Sequence, residues 1–280
     1  MKITCGEYCL DFEKRTYVMG ILNVTPDSFS DAGLYFDKKS AVKRAEEMVR
    51  EGADIIDIGG QSARPGSKAV PVSEELRRTI PVIEALSGRL GIPISIDTYR
   101  AKVAKEAVEA GASMVNDISG LRFDRGMASV VARADVPLVI MHIKGRPQNM
   151  QKRPRYKDLI GEIIQYLREG MGIARAAGIN KIIIDPGIGF GKTFDHNLQI
   201  IKNLRRFGRL RRPILIGPSR KAFIGAILDG APPEERLEGT AAAVAVSVLN
   251  GANIVRVHDV AKMSRVVKVA DAIKRGSVPS

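Results

Sequence analysis

The stretch LIGEIIQYLREGMGIARAAGINKIIID, residues 159–185, contains the repeating unit that decides the fold. Residues 159–177 carry apolar side chains at intervals of three and four, the spacing of a helix with one buried face. Gly178 follows, and glycine commonly ends helices because it tolerates the left-handed conformation. Residues 181–185 form a short apolar run closed by Asp185, which is typical of a parallel strand covered on both sides. The stretch therefore predicts a helix followed by a buried parallel strand.

The same unit recurs along the chain. Eight short runs rich in Ile and Val comprise residues 17–23, 54–59, 93–97, 113–118, 137–142, 181–185, 213–217 and 253–258. The helical patterns between them include residues 40–51, 73–86, 101–110, 159–177 and 196–207. Glycines precede three more of the runs, at Gly52, Gly111 and Gly251, as Gly178 does. Strict alternation of this kind predicts a parallel sheet.

The number and character of the runs favour a closed sheet. None of the eight has the polar character of an edge strand, which an open doubly wound sheet would need. We therefore expect the α/β class and a single (β/α)8 TIM barrel, with residues 1–15 as a short N-terminal cap or hairpin. Because no Ser/Gly/Pro-rich linker divides the chain, we predict one domain over residues 1–280.

The net charge of +13 admits a nucleic acid, an acidic surface or a small anion as partner. The basic residues are dispersed, and the densest cluster, within residues 205–212, has no interleaved aromatic side chains for base stacking. We therefore expect small-molecule substrates and no nucleic acid. A polyanion-binding module stays as an alternative, which a steep dependence of binding on salt would reveal.

The expected location in the cell depends on two sequence patterns, a membrane-spanning run and a secretion leader. No apolar run approaches the roughly 20 residues that cross a bilayer, so we expect no membrane partner. The chain shows no charged-then-apolar leader, and Cys5 and Cys9 have no second pair to complete a zinc site. These observations predict a cytoplasmic protein.

Polar residues end nearly every predicted strand, at the face where barrels of this kind carry their active sites. Any one of them could simply cap the following helix, but so many buried together without a ligand would leave unpaired groups. They are Asn23, Asp57, Asp97, Asn116, Asp117, His142, Asp185, Ser219, Arg220, Lys221, Arg256 and His258. Carboxylates and amides suit a neutral heterocycle rich in N–H groups, whereas arginine and lysine suit an anion.

Two loops and one glycine-rich segment complete the candidate site. The loops at residues 23–31 and 59–66 are polar and contain Gly or Pro, as mobile catalytic lids do, although ordinary surface loops share that composition. The segment DPGIGFGKT, residues 185–193, is like a phosphate loop at first sight. It has one residue too few between Gly187 and the Gly-Lys-Thr for that motif.

Four segments in fixed order resemble the dihydropteroate synthase family. They are NVTPDSFSD at 23–31, DPGIGFGK at 185–192, SRK at 219–221 and RVHD at 256–259. The resemblance runs from about residue 19 to 260. It implies a transferase of folate biosynthesis that condenses a dihydropterin diphosphate with p-aminobenzoate. Members are commonly homodimers, so the resemblance also implies a homodimer.

The resemblance also implies roles for individual residues. The pterin ring would contact Asp97, Asn116, Asp185 and Lys221. The diphosphate would contact Arg64, Arg256, His258 and a Mg²⁺ ion ligated by Asn23. Phe29 and Phe190 would pack around the aminobenzoate ring. Further substrate contacts are assigned to Ser62, Ala63 and Ser219, and catalytic roles to Asp97, Asp185, Lys221 and Arg64.

In this family the carbon–oxygen bond to diphosphate breaks first, and the arylamine then attacks a cationic pterin methylene without any protein nucleophile. Three positions depart from the usual pattern: Gln61 stands for Glu, Ala63 for Thr, and Ala222 for a Ser that helps to bind the aminobenzoate carboxylate. A synthase for another arylamine, as in methanopterin synthesis, or a sulfonamide-insensitive variant therefore stays open. A pterin-dependent methyltransferase is the other alternative, although it would not need diphosphate-binding residues.

Overall fold

The computed structural model describes residues 1–25 and 38–277. Phe29 and residues 26–31 of the first predicted loop lie outside this range. The described chain opens with two antiparallel strands, β1 (Lys2–Cys5) and β2 (Tyr8–Asp11), which form a hairpin within residues 1–15.

A nearly closed barrel of eight parallel strands follows in the described residues, which confirms the predicted TIM barrel. Its strands are β3 (Tyr17–Asn23), β4 (Ile55–Gly59), β5 (Ile94–Asp97), β6 (Met114–Asp117), β7 (Leu138–Met141), β8 (Ile182–Asp185), β9 (Leu215–Ile216) and β10 (Ile254–Val257). Consecutive strands from β3 to β8 pair with each other, β9 pairs with β10, and β10 returns to pair with β3. A single bridge between Ile184 and Ile214 joins β8 to the segment that leads into β9.

Helices separate the strands and cover the outside of the barrel. They are α1 (Lys38–Arg50), α2 (Val72–Leu86), α3 (Ala101–Glu109), α4 (Met127–Ala134), α5 (Leu159–Ala176), α6 (Phe194–Lys202), α7 (Ala222–Ile227), α8 (Leu237–Leu249) and α9 (Val260–Arg275). The glycines expected to end helices adopt positive φ, for example 90° at Gly178 and 103° at Gly251. Among the described residues, none of the helices is both long enough and apolar enough to span a membrane.

The helix predicted over residues 196–207 differs from the one observed. Helix α6 ends at Lys202, and a 3₁₀ segment, Leu204–Leu210, continues the chain. Its three-residue turn places Leu204, Phe207 and Leu210 on one buried face, which the 3.6-residue period of an α-helix would not align. The prediction was wrong there because burial of these three side chains selects the tighter turn.

The hairpin closes the amino-terminal end of the barrel. Ile3, Cys5 and Leu10 pack against the first inward-facing side chains of the strands, including Met19 and Ile55. Those side chains are almost completely buried. Within the described residues, the interior of the barrel is therefore closed at this end, and the carboxyl ends of the strands meet at the opposite end.

Candidate active site

Asp57 occupies the centre of the carboxyl-terminal face of the barrel. Its Oδ2 accepts hydrogen bonds from Asn116 Nδ2 at 3.0 Å and from Arg256 Nε at 2.6 Å. Asp57 Oδ1 and Asn116 Oδ1 are buried, and neither has a hydrogen-bond partner within residues 1–25 and 38–277. Because unpaired buried acceptors are costly, the pair marks a place where a ligand with N–H groups would bind.

Arg256 lies between two carboxylates. Besides its contact with Asp57, its Nη2 donates to Asp97 Oδ2 at 2.7 Å. Burial raises the pKa of Asp97 to about 7, and the Arg256 guanidinium opposes that rise. The family resemblance implied an anion contact for Arg256 and no role for Asp57, although Asp57 is one of the polar residues predicted at the strand ends. The pairing between them emerges only when β4 and β10 are brought together in the barrel.

Asp185 ends β8 at the same face. Its Oδ1 accepts a hydrogen bond from the Gly187 backbone N–H at 2.6 Å. Burial raises the pKa of the carboxyl to about 6, which the Gly187 hydrogen bond and the charges of Lys192, Lys221 and Arg256 oppose. At neutral pH the group is therefore mainly an anion in a buried environment, a form that is stabilised by a cationic or N–H-rich ligand.

Lys221 faces this group of carboxylates. Its Nζ lies 4.8 Å from the centroid of the Phe190 ring, and the aliphatic part of its side chain passes Gly189. Burial and the nearby Arg256 lower the pKa of Lys221 to about 8, and Arg64 contributes to the same shift. The ammonium form still predominates at neutral pH, so Lys221 can donate hydrogen bonds to a ligand between these side chains.

Arg220 takes a different place from the one expected. Sequence reasoning grouped it with Lys221 as an anion-binding residue. Its guanidinium instead forms a two-pronged ion pair with Asp259, at 2.9 Å and 2.5 Å. Its backbone is in the left-handed region, at φ 54°, and is held there by hydrogen bonds to Thr240 and Arg236. Arg220 thus fixes the turn that presents Lys221.

His258 is paired with Ser219. The two side chains are 2.9 Å apart, from Ser219 Oγ to His258 Nδ1, and the His258 backbone N–H donates to the same Oγ at 3.2 Å. Ser219 Oγ therefore holds the imidazole in place through Nδ1. Burial and Arg256 lower the pKa of His258 to about 3. His258 would therefore contact an anion as a neutral imidazole, not as the cation that its grouping with arginine suggested.

The second predicted loop borders the site. Gln61 fixes it by donating to the Tyr99 hydroxyl at 2.9 Å and accepting from the Val70 N–H at 3.2 Å. Ser62 Oγ accepts from the Arg64 N–H at 3.3 Å, and Arg64 itself is exposed. Ala63 packs on the apolar cluster that also contacts Phe190. The alanine methyl group thus extends an apolar surface where a threonine would present a hydroxyl.

Asn23 ends β3 beside these groups. Gly59 lies between Asn23 and Asp97, because a Cβ atom at Gly59 would be 3.8 Å from Asn23 Oδ1 and 3.6 Å from Asp97 Cβ, both ordinary contact distances. The barrel therefore gathers the predicted site residues at one end.

Lys192 was not predicted as a site residue, although it ends a glycine-rich loop next to Asp185, and its side chain is fully buried.

Residues 19–258 match the family described as "Pterin binding enzyme". A dihydropteroate synthase from Synechocystis is 52% identical over 272 residues, which cover 96% of this chain and 94% of that protein. A Xanthomonas albilineans dihydropteroate synthase structure with 4-aminobenzoic acid superposes with a TM-score of 0.91 at 42% identity, covering 99% of both chains. Another from the same organism, in complex with 7,8-dihydropteroate, gives a TM-score of 0.89 at 41% identity and covers 100% of both chains.

Proposed function

Because this chain belongs to the dihydropteroate synthases, the pterin-binding transferases of folate biosynthesis, we propose that its strand-end residues join a dihydropterin diphosphate to p-aminobenzoate. The buried hydrogen-bond acceptors of Asp57, Asn116 and Asp185 are the main support for assigning these residues to the pterin ring. An aminopyrimidinone ring presents several N–H donors along one edge, which matches these acceptors.

The pterin ring would lie against Asp97, Asn116 and Asp185. We add Asp57 to this group because its Oδ1 and the Oδ1 of Asn116 are both open to a donor. Lys221 would donate to the ring from the other side. The buried carboxylates would also stabilise the positive charge that develops on the pterin methylene when its bond to diphosphate breaks.

The diphosphate would lie near the ends of β3 and β10, against Asn23, Arg64 and His258. The described residues contain no cluster of three acidic, histidine or cysteine side chains that could hold a metal ion alone. Mg²⁺ typically keeps several waters and shares its remaining ligands between substrate phosphates and one or two protein oxygens. The Asn23 amide oxygen fits that pattern. When bound, Mg²⁺ would neutralise charge on the leaving diphosphate.

The reaction would then need no protein nucleophile. The electron pair of the carbon–oxygen bond leaves with the diphosphate, toward Arg64 and His258. The arylamine nitrogen forms the new bond to the pterin methylene and afterwards releases a proton to solvent. Phe190 and Ala63 would flank the arylamine ring and exclude water from the cation, as the apolar cluster beneath them supports.

The preference for p-aminobenzoate is tested at position 222. Purified protein should release diphosphate with Mg²⁺, dihydropterin diphosphate and p-aminobenzoate, and Ala222→Ser should lower the KM for p-aminobenzoate roughly tenfold, since a hydroxyl adds a hydrogen bond to a carboxylate. With aniline, which lacks the carboxylate, the same substitution should leave the KM unchanged. Faster turnover of aniline by the unaltered enzyme would move the protein to another arylamine, and absence of diphosphate release would favour the methyltransferase alternative.

We also propose a homodimer formed through α8 and α9. Three apolar side chains are exposed on these helices, Val246, Val269 and Ile273, and the last two are 62% and 64% exposed. Combining Val269→Glu with Ile273→Glu should convert a dimer to a monomer in sedimentation velocity experiments. Ile173→Glu on α5, which alters a similarly exposed apolar residue elsewhere, should leave the dimer intact. A monomeric unaltered protein would contradict the proposal.

The remaining proposals concern the whole chain. The eight parallel strands form one barrel and the β1–β2 hairpin packs on its end, which supports a single domain over residues 1–280. Cys5 and Cys9 are free thiols, which supports a cytoplasmic location.

A further inference from the structure

Lys192 is a fully buried lysine at the end of the loop that follows β8. Its side chain is 0% exposed and is among the largest completely buried side chains in the described residues. The loop before it turns sharply, with φ values of 71° at Gly187, 84° at Gly189 and 65° at Gly191. A buried amine is costly unless it is hydrogen-bonded, so its contacts indicate what it does.

The amine of Lys192 contacts its own loop and the residue that follows β7. Its Nζ is 2.9 Å from the Phe190 carbonyl oxygen and 2.9 Å from His142 Nδ1. His142 lies beyond the end of β7, and its backbone N–H donates to the Asp185 carbonyl at 2.9 Å. Burial lowers the pKa of both Lys192 and His142, so the imidazole is neutral and can accept a hydrogen bond from the amine. The amine donates in either of its protonation states.

Other parts of the loop are held by neutral groups on its outer side. Gln151 exchanges two hydrogen bonds with the Lys192 backbone, and the Tyr156 hydroxyl donates to the Gly191 carbonyl at 2.7 Å. The Gly189 N–H donates to Asn197 Oδ1 at 2.7 Å. The Phe190 N–H donates to the Gly187 carbonyl at 3.1 Å, whereas the Phe190 carbonyl accepts from the Lys192 amine, so the orientation of the peptide that follows Phe190 depends on the buried amine.

Phe190 is the point where the loop meets the candidate active site. Its ring packs on the apolar cluster of Ile118, Met141, Ile143 and Met150, and it lies 4.8 Å from Lys221 Nζ. A rotation of the Phe190 peptide would therefore displace the ring at the border of the site. Displacements of about 1 Å at such positions can lower rates by roughly a hundredfold.

We propose that Lys192 is a positioning residue for arylamine attack, which acts by fixing the Phe190 peptide and thereby the ring that faces Lys221. The inference rests on the proposed place of Phe190 beside the arylamine ring. It assigns Lys192 no contact with either substrate. Loss of the amine should therefore impair the binding and attack of the arylamine much more than the binding of the pterin.

The test is Lys192→Met, which keeps the length of the side chain and removes the amine. The KM for p-aminobenzoate should rise and kcat should fall, lowering kcat/KM for p-aminobenzoate roughly a hundredfold. The pterin site can be probed by itself with 6-hydroxymethylpterin, which lacks the diphosphate. The dissociation constant of this compound, measured by calorimetry, should change less than threefold. Lys202→Met, at the exposed end of α6, should change neither quantity.

A double-mutant cycle with Phe190→Ala tests the route of the effect. If Lys192 acts through Phe190, the double variant should be little worse than Phe190→Ala alone. Multiplicative losses in the double variant, or equal weakening of pterin and p-aminobenzoate binding by Lys192→Met, would overturn the inference. If Phe190→Ala itself leaves the KM for p-aminobenzoate unchanged, the proposed place of Phe190 fails instead. Should Lys192→Met not fold, Lys192→Leu also removes the amine and serves in the same cycle.

Discussion

Asp185→Asn is expected to lower kcat/KM for the pterin substrate by roughly a hundred- to a thousandfold and, at neutral pH, to stabilise the folded protein. The substitution keeps an oxygen that can accept from the Gly187 N–H. It removes the charge that would stabilise the pterin cation. Steady-state kinetics of diphosphate release measures the first effect, and chemical denaturation measures the second.

The stabilising effect follows from the raised pKa. Burial raises the Asp185 pKa to about 6 in the folded protein. A carboxyl with a raised folded-state pKa favours folding most below the unfolded-state pKa, and this contribution is lost as the pH rises through the folded-state pKa. The Asn variant should therefore be about 3 kcal/mol more stable than the unaltered protein near pH 7.5, and the difference should largely vanish near pH 4.

A matched control is available in the next helix. Asp195 is exposed in the first turn of α6, and Asp195→Asn should change neither kcat/KM nor the pH dependence of stability appreciably. A stability difference between Asp185→Asn and the unaltered protein that persisted unchanged at pH 4 would contradict the electrostatic explanation. Full activity in Asp185→Asn would remove this residue from the proposed pterin site.

Arg256→Met is expected to abolish turnover and to lower the free energy of unfolding by about 3–5 kcal/mol, because it leaves two buried carboxylates without their counter-charge. Its guanidinium contacts Asp57 at 2.6 Å and Asp97 at 2.7 Å. The pKa of Asp97 is already about 7 with the guanidinium present, and it should rise further without it. The loss of stability should therefore be greatest at alkaline pH and should shrink as the pH falls and the carboxyl is protonated.

Two further variants separate charge from packing. Asp57→Asn combined with Arg256→Met should recover part of the lost stability without recovering activity, since one of the unpaired charges is gone. Arg44→Met, which breaks a partly exposed ion pair with Glu51, should cost less than about 1 kcal/mol. If Arg256→Met proved no more destabilising than Arg44→Met, the pairing with the two carboxylates would not stabilise the fold as described.

Both predictions concern residues whose positions the sequence indicated but whose partners it did not. Apolar runs and helical spacing are local patterns, so they located the barrel strands to within a few residues and showed that Asp97, Asp185 and Lys221 follow strands. The error at residues 203–207 arose because the tighter turn depends on burial of Leu204, Phe207 and Leu210, which is not a local property.

The sequence by itself therefore determined the order of strands and helices, the end of the barrel that carries the site, and, through four motifs, the family. Tertiary structure alone decided which charges meet. Arg256 and Asp57 are 199 residues apart in the chain, and Lys192 and His142 are 50 apart. Closure of the barrel brings such residues into contact and removes them from water. Their protonation states, and the roles of Arg220, His258 and Lys192, depend on that shared burial rather than on the identity of their neighbours in the chain.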